Sequence, residues 1–310
     1  MTKVNTVLGP IDSSALGYTR MHEHLLWRWP GIELDPLVDF NEQGAVKKVT
    51  QMLLALKERG VSTLVDATPL NLSRSAEFLV RVADSSGMNI IASTGFSDRP
   101  YLGFYFAQME VDHLASIMES EITKGIRGTN AKAGIIKVGT ASGAVAEPEI
   151  KILRAAARAS KSTGVPIITH TDRGTLGIEQ LDIFKSEGAD LSRVVIGHTC
   201  SNSDIEYYLN IIKRGAYAGF DRIGWTEFQL DEVRLVAIIG LIGVGYAEKI
   251  VLSQDVLAVN VKVPGLPMPK QERAITYLDD EFIPQILRGG VTQQSIRRIL
   301  IDNPRHIFGG

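Results

Sequence analysis

Short apolar segments of strand-like composition alternate with longer segments of helical periodicity along the whole chain, and few folds accept that order. The first strand-like segment ends at Met21-His22-Glu23-His24. After it, Val46, Val49, Leu53 and Leu56 recur at helical spacing, and Gly60 stands where a C-cap is expected. Buried strands are predicted at 62–66, 89–94, 133–138, 166–170, 193–198, 216–221 and 249–255. Helices are predicted at 75–84, 111–124, 148–163, 177–186, 203–213, 230–241 and 277–287. Strict alternation implies a parallel sheet, and eight units favour closure into an α/β TIM (β/α)8 barrel over an open doubly wound sheet. No glycine-rich phosphate loop of the dinucleotide or Walker type follows any of these strands, which counts against a nucleotide-binding sheet. A single barrel domain over 1–310 is the expectation.

The 310 residues suit such a barrel, and a hydrophobic content of 45% supplies its core. A net charge of −2 without a long basic run gives no electrostatic footprint for nucleic acid or for an anionic membrane. The longest apolar run, 235–246, is too short to span a bilayer, and Met1-Thr2-Lys3-Val4-Asn5 lacks the apolar core of a signal peptide. A cytoplasmic protein with a small-molecule substrate is expected. Cys200 is the only cysteine, so any metal here must be held by nitrogen and oxygen. Cys200 itself is expected to be a small buried residue.

In this architecture chemistry gathers at the C-terminal ends of the strands. The ends of the predicted strands carry His22 and His24, Lys137, His170, His198 and Asp255. Four of the six histidines fall at these positions; His113 and His306 lie on a presumed helix and in the C-terminal tail. Side chains alternate along a strand, so His22 and His24 should face the same way and Glu23 the opposite way, into a supporting role. The last strand adjoins the first in a closed barrel, and the strands bearing Lys137, His170 and His198 face them. The six groups can therefore converge on one volume, which suits two metal ions about 3.5–4 Å apart. Lys137 closes an apolar strand; burial lowers the pKa of an amine, and the neutral amine can add carbon dioxide to give a carbamate with two oxygens.

Taken together, His22-Glu23-His24, Lys132-Ala133-Gly134-Ile135-Ile136-Lys137, Arg154 to Ser160 leading into Val165-Pro166-Ile167-Ile168-Thr169-His170, Ile196-Gly197-His198 and Ser253-Gln254-Asp255 resemble the phosphotriesterase family of the amidohydrolase superfamily. The likeness runs from Asn5-Thr6-Val7-Leu8-Gly9-Pro10 to Asn303-Pro304. It implies that His22, His24 and Asp255 hold the more buried metal and His170 and His198 the more exposed one, with N6-carboxylated Lys137 and a hydroxide bridging them. Zinc is the first expectation for both ions, and cobalt, manganese and iron suit the same donors. Asp255 would take a proton as well as bind metal. The resemblance also implies a homodimer.

Asp221-Arg222 resembles the lactonase-like branch of the family. Asp221 is either a proton-relay partner or a cap or salt-bridge residue, and Arg222 either orients a carbonyl or acidic group or pairs with a surface carboxylate. The expected activity is hydrolysis of a lactone or carboxylic ester of the acyl-homoserine-lactone kind, with promiscuous organophosphate triester hydrolysis. A phosphotriesterase or amidase main activity, or a catalytically silent barrel, are the alternatives. The family places an aromatic residue where this chain has Ser97, within Thr94-Gly95-Phe96-Ser97-Asp98-Arg99, and Tyr101 is a candidate to compensate. Trp27, Trp29 and Trp225 are pocket walls or ordinary packing residues. Val256 opens the irregular segment 256–273, with Pro264, Pro267 and Pro269, which is expected to hang over the barrel mouth and help form the pocket.

Overall fold

The computed structural model describes residues 2–261, 263, 265–266 and 273–310. An antiparallel hairpin opens the chain, β1 (Lys3–Thr6) paired with β2 (Gly9–Asp12). Eight parallel strands follow: β3 (Tyr18–Glu23), β4 (Val61–Asp66), β5 (Asn89–Gly95), β6 (Ile135–Thr140), β7 (Ile167–Thr171), β8 (Val194–Ile196), β9 (Tyr217–Phe220) and β10 (Ile250–Leu252). They neighbour one another in sequence order from β3 to β10. Between them run α1 (Glu42–Glu58), α2 (Ala76–Ser86), the short α3 (Arg99–Leu102) and α4 (Phe104–Gln108), α5 (Val111–Thr123), α6 (Glu147–Thr163), α7 (Gly177–Ser186), α8 (Ile205–Lys213) and α9 (Asp231–Gly243). The expected barrel is present. Among the described residues no helix is long and apolar enough to cross a membrane.

Local chemistry starts and stops the helices. The Asn41 side chain accepts from Gly44 N at 2.9 Å ahead of α1, and Ser75 from Phe78 N at 3.2 Å ahead of α2, satisfying donors that a first turn leaves open. The strands then sort their side chains by parity. Met21, Val65, Ile91, Ile135, Ile168, Val195, Tyr217 and Val251, one from each barrel strand, form a single inner cluster. Ile136 and Val138, on the other parity of β6, pack outward among Leu79 and Val82 of α2, Leu114 of α5 and Leu153 of α6 in a second cluster. Val4 of the hairpin joins the inner cluster with Ile307 and Phe308, so the hairpin and the C-terminal helix plug the barrel at the strands' N-terminal ends. The hairpin is absent from the sequence reading because Gly9-Pro10 looks like punctuation rather than a strand.

Closure occurs without a regular β10–β3 ladder. Asp255 N donates to His22 O at 3.1 Å, His24 N to Val256 O at 2.8 Å and Ala258 N to His24 O at 2.8 Å, joining the chain just past β10 to the end of β3. Glu23 reinforces the joint from the side: its carboxylate accepts from Ser253 Oγ at 2.9 Å, Gln254 N at 3.1 Å and Val256 N at 2.6 Å. Beyond it, His24–Leu257 and Trp27–Asn260 form isolated parallel bridges. Within the rest of the expected mouth loop, residues 262, 264 and 267–272, which include Pro264, Pro267 and Pro269, lie outside the described residues.

Gly95 shows how tightly the strand ends approach. Its φ is +106°, and a Cβ there would sit 2.1 Å from Lys137 O. Gly95→Ala is expected to destabilise the protein by at least about 2 kcal/mol, combining overpacking against backbone with a left-handed conformation. Urea unfolding measures it, and an unchanged midpoint would contradict this packing.

Candidate active site

A cleft of about 140 Å³ opens at the C-terminal ends of the barrel strands. Its walls include His24, Lys137, His170, His198, Arg222 and Asp255, with Trp27, Ser97, Tyr101 and Trp225 around them. Asp98, Phe228, Leu257, Pro69 and Leu72 also line it, and sequence reasoning had singled out none of these. Val256 does not line the cleft: its side chain is buried in the outer core, and Leu257 takes the place expected of it. Parity explains the exchange, because adjacent residues of an extended segment point to opposite sides.

His22 lies fully buried beneath the cleft and faces Asp255 together with His24, although alternation counted from Met21 would turn it outward. Met21 fills the barrel interior, yet the next residue, His22, also faces the site. The β3–β4 register slips between Arg20 and Glu23, and such an irregularity re-aims a side chain at a strand end. Two further positions are reached by unusual backbone. His198 (φ +59°) and Asp255 (φ +53°) sit just past β8 and β10 in the left-handed region, which costs of order 1–3 kcal/mol each for a non-glycine residue. The predicted strands 193–198 and 249–255 therefore stop short, at Ile196 and Leu252. Lys137, expected to close its strand, is the third residue of β6, which runs on to Thr140.

One ring nitrogen of three histidines is anchored from behind. His22 Nδ1 lies 2.7 Å from Asp221 Oδ2, His198 Nδ1 lies 3.0 Å from Asp221 Oδ1, and His24 Nδ1 lies 2.8 Å from Thr68 Oγ1. Asp221 Oδ1 also accepts from His198 N at 2.7 Å. A carboxylate behind an imidazole fixes the tautomer with its proton on Nδ1, which leaves Nε2 with a lone pair. All three Nε2 atoms face Asp255, at 3.9 Å from His22, 3.3 Å from His24 and 3.7 Å from His198. Ligand atoms of His22, His198 and Asp255 lie within 4.8 Å of one another. The His170 and His198 rings meet edge to face at 4.7 Å. Lys137 Nζ lies 2.6 Å from His22 Nε2 and donates to Thr169 O at 3.2 Å.

Burial, together with the nearby Lys137 charge, pushes His22 down to about 4, so its imidazole is neutral at pH 7. Burial and Arg222 hold His170 and His198 well below the usual histidine range. Burial also lowers Lys137 to about 8, against the pull of Asp255 and Asp221. Neutral imidazoles and a carboxylate are the protonation states in which nitrogen and oxygen groups bind a divalent cation, and the lowered Lys137 loses its proton far more readily than an exposed lysine.

Asp221 is wholly buried and does not line the cleft; its oxygens face His22 and His198. Arg222 does line it: Nε donates to Asp255 Oδ2 at 3.0 Å, the guanidinium lies 4.0 Å from the centre of the Phe228 ring, and Nη1 is buried with no hydrogen-bond partner among the described residues. Trp225 packs into the wall with Nε1 donating to Gln254 O at 2.7 Å, while Trp27 and Trp29 meet edge to face at 5.0 Å. Cys200 is buried, with Arg222 N directed at its sulfur at 3.4 Å.

Fold and site together define a metal-dependent hydrolase built on a TIM barrel. The family model described as "Phosphotriesterase family" matches residues 2–308. A phosphotriesterase homology protein of Mycobacterium tuberculosis is 35% identical, with 99% of this chain and 98% of the relative covered. An aryldialkylphosphatase of Saccharolobus solfataricus is 32% identical, with 96% of each covered. A solved mutant of a PTE-like lactonase from Deinococcus radiodurans superposes with a TM-score of 0.93 at 34% identity, covering 99% of this chain and 100% of the other. The chain belongs to the phosphotriesterase family.

Asp221→Asn keeps the shape but supplies one acceptor oxygen where two are used. It is expected to lower metal affinity about 10- to 100-fold, the usual consequence of losing a carboxylate behind a metal-binding histidine. Competition with a chromogenic chelator measures it, and an unchanged affinity would remove Asp221 from the site's support.

Proposed function

We propose that this protein is a binuclear metal-dependent hydrolase whose main substrates are lactones or related carboxylic esters, with organophosphate triesters as secondary substrates. The carrying observation is the position of Lys137, whose Nζ lies 2.6 Å from His22 Nε2 on the wall of the cleft, in the midst of the His/Asp donor set. His22, His24 and Asp255 would hold one ion, His170 and His198 the other, and Lys137 as N6-carboxylysine would contribute an oxygen to each. Bound there, two divalent ions supply a hydroxide at neutral pH and polarise the bond under attack.

The chain's own groups do the rest. Asp221 holds two imidazoles with Nε2 presented, a positioning role rather than a relay. Asp255 accepts a proton at a carboxylate oxygen as the tetrahedral centre forms. Arg222, whose Nη1 has no hydrogen-bond partner among the described residues, would offer a charged donor to the substrate's carbonyl or leaving oxygen. Trp27, Trp225 and Phe228 give the cleft apolar walls that exclude water. The lactonase and aryldialkylphosphatase names of two relatives support the primary and the secondary halves of this reading.

A panel of an acyl-homoserine lactone, an aryl ester, an N-acyl amide and an aryl phosphotriester, assayed with metal-reconstituted protein, tests it. We expect the best lactone or ester to exceed the phosphotriester by about 100-fold or more in kcat/KM, the range that differential binding of two substrates provides. A phosphotriester or amide as the fastest substrate would refute the assignment of main activity.

A further inference from the structure

We propose that Asp98, with Ser97, selects lactones bearing hydroxyl groups over lactones bearing an alkyl or acyl chain, a refinement that rests on the lactone reading above. After β5 ends at Gly95, Phe96 turns into the outer core, and Ser97 and Asp98 enter the cleft wall. Both are nearly buried, at 8% and 5% exposure. Ser97 Oγ donates to Asp98 Oδ1 at 2.7 Å. The pair is held in place from behind: Ser97 N donates to Asn71 Oδ1 at 2.8 Å, and Asn71 Nδ2 to Tyr101 O at 2.7 Å. On the following residue, Arg99 N donates to Glu149 Oε1 at 3.2 Å.

Arg99 pairs with Glu149, and among the described residues no cationic side chain pairs with Asp98. A carboxylate that is nearly buried, lines a cavity and lacks a cation is costly unless donors reach it, and a ligand's hydroxyl groups are suitable donors. A substrate ammonium is the weaker match, because Arg222 lines the same small cleft and would repel it. At the position where the family resemblance places an aromatic residue, this chain presents the Ser97 hydroxyl beside the Asp98 carboxylate.

The test compares a polyhydroxylated five-membered lactone with an alkyl-substituted lactone of the same ring size, in wild type and in Asp98→Leu and Asp98→Asn. Wild type is expected to favour the hydroxylated lactone by at least about tenfold in kcat/KM. In Asp98→Leu the ratio between the two lactones should fall on the order of 10- to 100-fold, mainly through KM, because a charged acceptor for the hydroxyls is lost. Asp98→Asn, which keeps one acceptor, should fall in between. A wild-type preference for the alkyl lactone, or an equal loss on both lactones, would overturn the proposal, as would tighter binding of an amino-substituted lactone than of the hydroxylated one. Titration calorimetry with the ring-opened acids separates this from the lactone reading itself. If wild type hydrolyses neither lactone, the lactone reading fails, while tighter binding of the hydroxylated acid than of the alkyl acid, lost in Asp98→Leu, still supports selection by Asp98. Equal affinities overturn it.

Discussion

Lys137→Ala is expected to lose more than about 100-fold in kcat/KM on every substrate and to retain about half of the metal or less, because a ligand shared by both ions affects each of them. The side chain is almost completely buried, and its ammonium form is costly there, as its fall to about 8 records. Its hydrogen bonds go to Thr169 O and His22 Nε2, neither of which closes the barrel. Removing it should therefore leave the metal-free fold within a few degrees of wild type in thermal unfolding, so lost activity will not be lost structure. Activity and metal content are read together by assay and elemental analysis. A Lys137→Ala protein with full activity and full metal content would sink the binuclear reading.

Glu23→Ala is expected to lower stability by about 3 kcal/mol or more and to depress activity without touching a ligand atom. The carboxylate satisfies three donors from the chain at the end of β10: Ser253 Oγ, Gln254 N and Val256 N. An unsatisfied buried donor costs about 1–3 kcal/mol, and two of these are backbone amides that cannot rotate away. Arg20, wholly buried with Nη1 3.9 Å from Glu23 Oε1, also loses a neighbouring charge. The thermal midpoint should fall by roughly 5 °C or more. Ser253, Gln254 and Val256 flank Asp255, so its carboxylate loses its placement too. Glu23→Gln keeps an acceptor oxygen and should lose less than half as much stability. Equal midpoints for Glu23→Ala and wild type would show that the backbone bridges alone close the barrel.

The strand order and the set of groups at the barrel mouth were legible in the sequence because both follow from periodicity. Buried parallel strands are short apolar runs, and the residues that end them, Lys137 and His170 among them, stand out as polar. What parity governs was read correctly only where the strands stay regular. The register slip that lets Met21 and His22 both face inward, and the left-handed backbone at His198 and Asp255, leave no trace in hydrophobic spacing. Val256 was placed in the cleft because position along the chain was known and side-chain direction was not. Asp98 went unremarked for a different reason: beside Ser97 it looks like an ordinary loop aspartate, and only its burial in the cleft wall marks it. Asp221, isolated in sequence, acquires meaning when two imidazoles from β3 and the end of β8 meet its two oxygens.

A binuclear centre fixes the metal content of the active protein. Purified protein reconstituted with zinc and passed through a desalting column should carry about two ions per chain, lose activity in step with their removal by a chelator, and regain it when the ions are restored. Full hydrolase activity in chelator-treated protein shown to be metal-free would rule out a metal-dependent reaction.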